Sequence, residues 1–236
     1  MDIKHLCIIV PVYNNPKTVA TVVTQIREVC DITLIIVDDG SDIPVEVLID
    51  EKDNIIHVRQ HPNKGKGVAL RLGALKAQEL GMQHCITMDA DGQHFAQDLR
   101  PFIEIYKQED NPHTMVIGVR DFTACTPPRS SVIGRQIGNF WVWVESGRWV
   151  SDTQTGFRLY PLDVLIYTST TTRYEFEIEN LVRFLWRKGR LVEIPVKTVY
   201  DETRITHFDK IKDNLFMIAL HTKLVMQRFL LLKGIV

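Results

Sequence analysis

Cysteine is scarce in this chain of 236 residues: four, at positions 7, 30, 85 and 125, with no pair at metal-finger or redox spacing. That excludes a disulfide scaffold and a zinc ribbon. Cys7 and Cys85 fall inside apolar runs and read as reduced core thiols of a reducing compartment. No uninterrupted apolar run approaches the ~20 residues that cross a bilayer. The chain opens into a strand pattern without a signal peptide. The expectation is a cytoplasmic protein without a membrane span. Excess charge is also missing: 28 Lys and Arg face 29 Asp and Glu, a net charge of −1, so no global field attracts nucleic acid. No phosphate-loop or dinucleotide fingerprint occurs. Nor is there an internal repeat, a low-complexity tract or a linker, so one domain over residues 1–236 is the economical reading.

What is present is a regular alternation. Leu6–Val10, Thr33–Val37, Ile55–Arg59, the run before Asp89, and Thr114–Gly118 carry strand patterns. Between them, Thr18–Val29, Lys64–Leu80 and Gln97–Lys107 carry helix patterns. Thr33–Val37 is a continuous β-branched run, as expected of a strand buried on both faces. Strand–helix alternation predicts an α/β fold with a mostly parallel sheet and right-handed crossovers. The second half predicts a loop over Asp121–Arg129, helices over Ser130–Gly147 and Tyr174–Lys188, and a short strand at Gly156–Tyr160. It also predicts an edge strand over Leu191–Val196 ended by Pro195, a polar loop over Tyr200–Asp209, and a last helix to Leu232.

Ligands of such sheets bind beyond the carboxyl ends of the strands. Three polar clusters fall there: Pro11-Val12-Tyr13-Asn14, Asp38-Asp39, and Asp89-Ala90-Asp91-Gly92-Gln93-His94. Asp89 and Asp91, two apart at a strand mouth, can converge on one hard divalent cation, with Gln93 as a third oxygen donor. Mg²⁺ or Mn²⁺ suits that donor set. The glycines of Asn63–Gly67 allow close backbone approach, and Lys64 or Lys66 can reach a phosphate. Arg120, at a strand end, offers a guanidinium fork to phosphate oxygens.

In order along the chain stand Pro-Val-Tyr-Asn, Ile-Ile-Val-Asp-Asp-Gly-Ser, Asn-Lys-Gly-Lys-Gly, Asp-Ala-Asp-Gly-Gln-His and Thr-Gly-Phe-Arg. As a set they resemble the inverting family 2 glycosyltransferases of GT-A fold, and within them the polyprenyl-phosphate sugar synthases. The resemblance implies a GT-A fold, a Rossmann-like sheet flanked by helices. It implies a donor site made by Pro11, Tyr13, Asn15, Val37, Asp39, Lys66, Asp89, Ala90, Arg204 and Lys210. It also implies a metal on Asp89, Asp91 and Gln93. Arg129 and Arg135 are further cationic candidates. Residues 1–118 would form the nucleotide-binding half, 119–208 the acceptor half, and 209–236 a C-terminal amphipathic helix.

The implied reaction moves a sugar from a nucleotide diphosphate with inversion. Asp91 and Arg120 would serve the leaving diphosphate. A lipid-phosphate acceptor needs no base, whereas a hydroxyl does. Asp152 is the candidate base, with Glu175 and Glu177 behind it. Many members of the group carry membrane helices after the catalytic domain. None is expected here, which leaves a glycolipid or other lipid-like hydroxyl open as acceptor. Residues 204–236 hold six Lys/Arg and two Asp. A stripe of Leu215, Ile218, Val225, Phe229 and Leu232 lies on the last helix. It suits packing on the core or peripheral contact with anionic lipid at the inner face of the membrane. Rival readings are a haloacid-dehalogenase-type phosphatase, a nucleotidyltransferase and a nucleotide-sugar-binding module without turnover. The upstream place of Asp38-Asp39 speaks against the first, and the lack of an early Gly-rich basic loop against the second.

Overall fold

The structure, a computed structural model, describes residues 1–50, 54–122, 127–199, 209 and 211–232. Seven strands form one mixed sheet: β1 (Leu6–Val12), β2 (Thr33–Asp38), β3 (Ile55–Arg59), β4 (His84–Thr87), β5 (Thr114–Asp121), β6 (Arg158–Pro161) and β7 (Arg190–Lys197). Their order is β3-β2-β1-β4-β6-β5-β7. Strand β6 runs antiparallel to both neighbours, and every other pairing is parallel. Chain order reverses at β1, with β2 on one side and β4 on the other, which makes a topological switch point there. The register sets Val12 opposite Asp38, and Thr87 opposite both Ile9 and Arg158, so the ends of these strands share one rim.

Side chains alternate across the sheet. Cys7, Ile9, Ile35, Val37 and Cys85 face a core with α2 (Lys66–Glu79), α5 (Leu162–Tyr167) and α6 (Glu175–Trp186). Leu6, Ile8, Val10, Leu34, Ile36 and Ile86 face the other core, with α1 (Val19–Val29) and α3 (Leu99–Gln108). Both faces of the central strands are buried, which is why their sequences are continuous apolar runs. The last helices are α4 (Arg129–Ser146) and α7 (Lys212–Leu232).

Three readings of the sequence need correction. Helix α5 was not expected; Pro161 closes β6 and opens it at once, and a single turn and a half is too short to show periodicity. Pro195 does not end β7, which continues to Lys197 opposite Asp121. An edge strand tolerates a residue without an N–H. Finally, α7 is long and apolar enough to cross a membrane by length and composition, and 17% of its apolar window is buried. Lys223 and Arg228 interrupt its apolar run and hid that property. Its stripe of Leu215, Ile218, Phe229 and Leu232 faces outward, while Leu220, His221 and Leu224 pack inward.

One buried carboxylate ties α7 to the body. Glu179, on α6, accepts from Ser169 Oγ (2.9 Å), Thr170 N (3.0 Å) and Thr171 N (3.1 Å). It also pairs with Arg183 (2.9 Å) and with Lys223 of α7 (3.4 Å). Burial alone would raise its pKa, but Arg183 and the N–H and O–H donors pull it from 4.5 to about 2. In the unfolded chain this carboxyl takes its proton near 4.5, so its stabilisation is complete above that pH. It is lost as pH falls to about 2. Glu179→Gln should flatten the pH dependence of urea-unfolding free energy across that window. At neutral pH it should cost roughly 3 kcal/mol.

Candidate active site

The loop after β1 turns at Asn14, whose φ of 51° is left-handed, a conformation asparagine tolerates. Asn14 N donates to Ser41 Oγ (3.0 Å), its side-chain Nδ2 donates to Asp42 Oδ2 (3.2 Å) and its Oδ1 accepts from Asp42 N (2.9 Å). Those contacts clamp the β1 and β2 loops together. Asn15 O begins α1 by accepting from Thr18 and Val19. A cavity of about 280 Å³ opens beside this clamp, lined among others by Asn15, Asp42 and Leu48.

The adjacent acids Asp38 and Asp39 divide their work. Asp38 accepts from Ser41 N (2.8 Å) and Val45 N (3.3 Å) and so shapes the turn after β2. Asp39 accepts from Gln60 Nε2 (2.5 Å), Lys64 N (2.9 Å) and Gly65 N (2.8 Å). It thereby holds the glycine-rich loop that starts α2. A carboxylate has about four acceptor positions, so three are spent within the protein. Gly65 sits at φ +102°, and a Cβ there would lie 2.6 Å from Thr172 O. Only glycine allows this loop to lie so close.

The first residue of α2 reaches the centre of the rim. Lys66 Nζ lies 2.7 Å from Asp89 Oδ1 and 2.8 Å from Glu177 Oε1. Burial disfavours the ammonium, but the two carboxylates outweigh it and raise its pKa. The same ammonium lowers the pKa of Asp89 against its burial, while burial raises that of Glu177. Gly156 underlies the pair: a Cβ there would stand 2.6 Å from Asp89 Oδ2 and 2.7 Å from Lys66 Nζ. Next along, Asp91 Oδ1 accepts from Gln93 N (3.0 Å). Gln93 and His94 are buried, and among the described residues Gln93 Nε2 and His94 Nδ1 have no hydrogen-bond partner. Burial pushes the His94 pKa down to about 4, so its ring is neutral at pH 7.

On the β5 side, Arg120 grips Asp152 with Nε (2.7 Å) and Nη2 (2.9 Å), and its backbone N adds a third bond. Arg135, on α4, donates to Arg120 O (2.9 Å) and lies 3.8 Å from the same carboxylate. The Asp152 side chain is 0% exposed. Beneath them Arg158 is fully buried and donates to the carbonyls of Thr153, Thr155 and Glu177 and to Tyr160 Oη.

Among the described residues no three His, Cys, Asp or Glu side chains gather as a metal group. The rim nevertheless suits a hard divalent cation. Asp89 and Glu177 set two carboxylates against the ammonium of Lys66, and Asp91 and the Gln93 amide, whose carbonyl oxygen is a hard donor, follow within the same turn. Asp89 already holds Lys66.

The family model for glycosyl transferase family 2 matches residues 7–178, a span that includes β1 through the start of α6. The chain belongs to that family. The UDP-N-acetylglucosamine–dolichyl-phosphate N-acetylglucosaminyltransferase of Methanococcus voltae is 30% identical over 223 residues, covering 84% of this chain and 87% of that protein. The polyprenol monophosphomannose synthase of Mycolicibacterium smegmatis is 24% identical over 232 residues, covering 92% and 86%. Among solved structures, glucosyl-3-phosphoglycerate synthase of Mycobacterium tuberculosis with uridine diphosphate superposes at a TM-score of 0.67. That pair is 15% identical, with 95% of this chain and 80% of the other covered. The fold is GT-A, and the protein is a glycosyltransferase.

In this family 2 enzyme the expected site residues do not all reach the rim. Lys66, Asp89, Asp91, Gln93 and Arg120 lie at the carboxyl ends of the strands, with Asp39 below the glycine loop. The side chain of Val37 is buried in the core against Gly73 of α2, and Pro11 and Ala90 are buried as well. Tyr13 and Asn15 are half-buried. Arg204 and Lys210 lie outside the described residues. Asp152, the expected base, is sealed in an ion pair and serves instead to hold Arg120 and Arg135. Glu175, the first residue of α6, accepts from Thr172 N (3.4 Å) and Arg173 N (3.3 Å) and so braces the turn that leads into the helix. Sequence reasoning missed two features: Glu177 as partner of Lys66, and Arg158 as the staple of the 153–158 segment. A lone arginine opening an apolar strand was the available signal for the second.

Proposed function

We propose that this glycosyltransferase moves a sugar from a nucleotide diphosphate to a lipid phosphate, with inversion at the anomeric carbon. The observation that carries the reading is the cationic cluster Arg120 and Arg135, two guanidinium groups fixed on the one buried carboxylate of Asp152, with Arg120 near enough to Asp89 to favour its ionised form. A phosphate acceptor is already anionic and asks for cations rather than for a base. The carboxylates Asp152 and Glu177, expected as bases for a hydroxyl acceptor, are buried and ion-paired. The named relatives act on dolichyl or polyprenyl phosphate, and structures sharing the fold hold UDP with Mn²⁺ or Mg²⁺.

In this reading residues 1–118 serve the donor, 119–208 the acceptor, and 209–236 the membrane side. The loops at Tyr13, Asn15 and Asp39 accommodate the nucleoside. Arg204 and Lys210 would complete the donor's cationic contacts. Asp91 and Gln93 would hold Mg²⁺ or Mn²⁺, which supplies charge stabilisation to a departing diphosphate. Lys66 keeps Asp89 ionised and turned toward the rim. Arg120 stabilises negative charge as it develops, from a position set before substrate arrives. Buried Gln93 and His94, with His94 packed on Phe157, would shield this part of the rim from water.

The test is a transfer assay with a panel of labelled nucleotide-diphosphate sugars, Mn²⁺ and a polyprenyl phosphate. Label should move into the organic phase, with inverted anomeric configuration, and EDTA should stop it. Nucleotide diphosphates that raise the melting temperature while no donor on the panel is turned over would identify a binding module instead.

A further inference from the structure

Arg120 and Arg135 carry like charges and face one carboxylate, and the fold holds them by different means. Arg120 spends Nε (2.7 Å) and Nη2 (2.9 Å) on Asp152, and its backbone N adds a third bond to the same side chain (3.2 Å). Arg135 stands further off, 3.8 Å from that carboxylate, and donates from Nη1 to Arg120 O (2.9 Å). It also makes an aromatic contact: its Cζ lies 3.9 Å from the ring centre of Phe122. The Cζ of Arg120 lies 5.7 Å from the same ring. Phe122 directly follows β5 and is half-buried, while Arg135 comes from the second turn of α4. The ring therefore links the strand end to the helix.

The means of holding decides which donors stay available. A guanidinium presents its N–H groups in its own plane. A carboxylate takes them from the edge, as Asp152 does with Arg120. An aromatic ring takes the face instead and leaves the edge free to donate. Asp152 neutralises one of the two guanidinium charges, so the cluster keeps an excess positive charge. The Arg135 side chain is 21% exposed against 13% for Arg120, so the less committed fork is also the more accessible one. Both differences make Arg135 the better placed of the two to receive an incoming anion.

We propose that Phe122 is a positioning residue for the acceptor: its ring fixes the face of the Arg135 guanidinium and leaves the N–H edge to the acceptor's phosphate. Phe122 acts through Arg135 and needs no contact with substrate. The inference rests on the lipid-phosphate reading. Three bonds to Asp152 hold Arg120 whether or not the ring is there. Loss of the ring should therefore loosen Arg135 and spare Arg120. The effect belongs to acceptor binding, and it should disappear from the rate once acceptor saturates the enzyme.

Two substitutions test the proposal. Phe122→Leu keeps an apolar side chain and removes the ring, whereas Phe122→Tyr keeps the ring. The assay uses the donor that the panel identifies and a short, water-soluble polyprenyl phosphate. Phe122→Leu should raise the acceptor KM roughly tenfold, the loss expected of one cation–π contact. Its kcat should stay within about twofold, its donor KM should not change, and Phe122→Tyr should restore the acceptor KM. The melting temperature of Phe122→Leu should lie within about 4 °C of the unmodified chain. A second readout needs no turnover. In the full chain carrying isotope-labelled arginine, the Nε–H resonance of Arg135, assigned through Arg135→Lys, should carry a ring-current shift and move when polyprenyl phosphate is added. An acceptor KM unchanged in Phe122→Leu would overturn the proposal, as would a loss confined to kcat, a rise in donor KM, or no rescue by Phe122→Tyr. So would an Arg135 resonance in the unmodified chain that shows no ring shift or ignores the phosphate, a result that stands even if a variant fails to fold. No turnover of polyprenyl phosphate by the unmodified chain would remove the acceptor reading and this inference with it. Full turnover with an unchanged KM in Phe122→Leu would remove this inference alone.

Discussion

Lys66→Met is expected to lower the melting temperature by about 6–12 °C and to abolish most transfer activity. The argument is electrostatic. Lys66 is the ammonium between Asp89 (2.7 Å) and Glu177 (2.8 Å), and the Glu177 side chain is 6% exposed. Removing one partner of a buried ion pair leaves an uncompensated charge, which typically costs 3–5 kcal/mol. Asp89 is partly exposed and can be re-solvated, so the low end, about 3 kcal/mol, applies. For a chain of this size each kcal/mol moves the midpoint by roughly 2–4 °C. The double variant Lys66→Met/Glu177→Leu removes the deeper acid as well and should regain part of the lost stability. Calorimetry on the two variants decides the matter. A single variant that melts with the unmodified protein would show the triad to be solvated and worth little.

Asp91→Ala is expected to reduce kcat/KM by about 10²–10³, equivalent to roughly 3–4 kcal/mol of transition-state stabilisation. Its cost to folding should be small, because Asp91 lies half-buried on the rim and accepts from Gln93 N within its own turn. The loss should fall on kcat if the metal acts on charge that develops as diphosphate leaves, and on KM alone if it merely binds the donor. Two readouts separate this from a folding defect. The unliganded melting temperature should stay within about 1 °C, since turn contacts at the surface contribute little. The Mn²⁺-dependent part of the nucleotide-diphosphate thermal shift should vanish. Its full retention would mean that the ion is held by other residues.

Much of the architecture was legible because its signals are local. Thr33–Val37 had to be a strand buried on both faces, since a β-branched run has no better place. The motif of Asp89, Asp91 and Gln93 after an apolar run was expected at a strand mouth, and it follows β4 there. The family-model match over residues 7–178 agrees with the resemblance carried by the ordered motifs. Partnership was not legible. Asp38 and Asp39 are chemically identical neighbours, yet one shapes a turn and the other holds a loop 21 to 26 residues away. Asp152 looked like an available acid until Arg120, 32 residues distant, closed on it. The α7 stripe looked like a packing face, but Asp213, Leu220, His221 and Leu224 took the inward side.

By itself, then, the amino-acid order determined strand and helix placement, the family, and which residue types stand at the mouths of the strands. Hydrophobic period and turn chemistry act over a few residues and leave their mark in the chain directly. Tertiary structure alone decided which carboxylates are neutralised, which cations remain turned toward the rim, and which side of the last helix is left uncovered. Those outcomes depend on burial and on charges brought within about 3 Å from distant positions. Charge interactions and desolvation at that range are set by fold geometry.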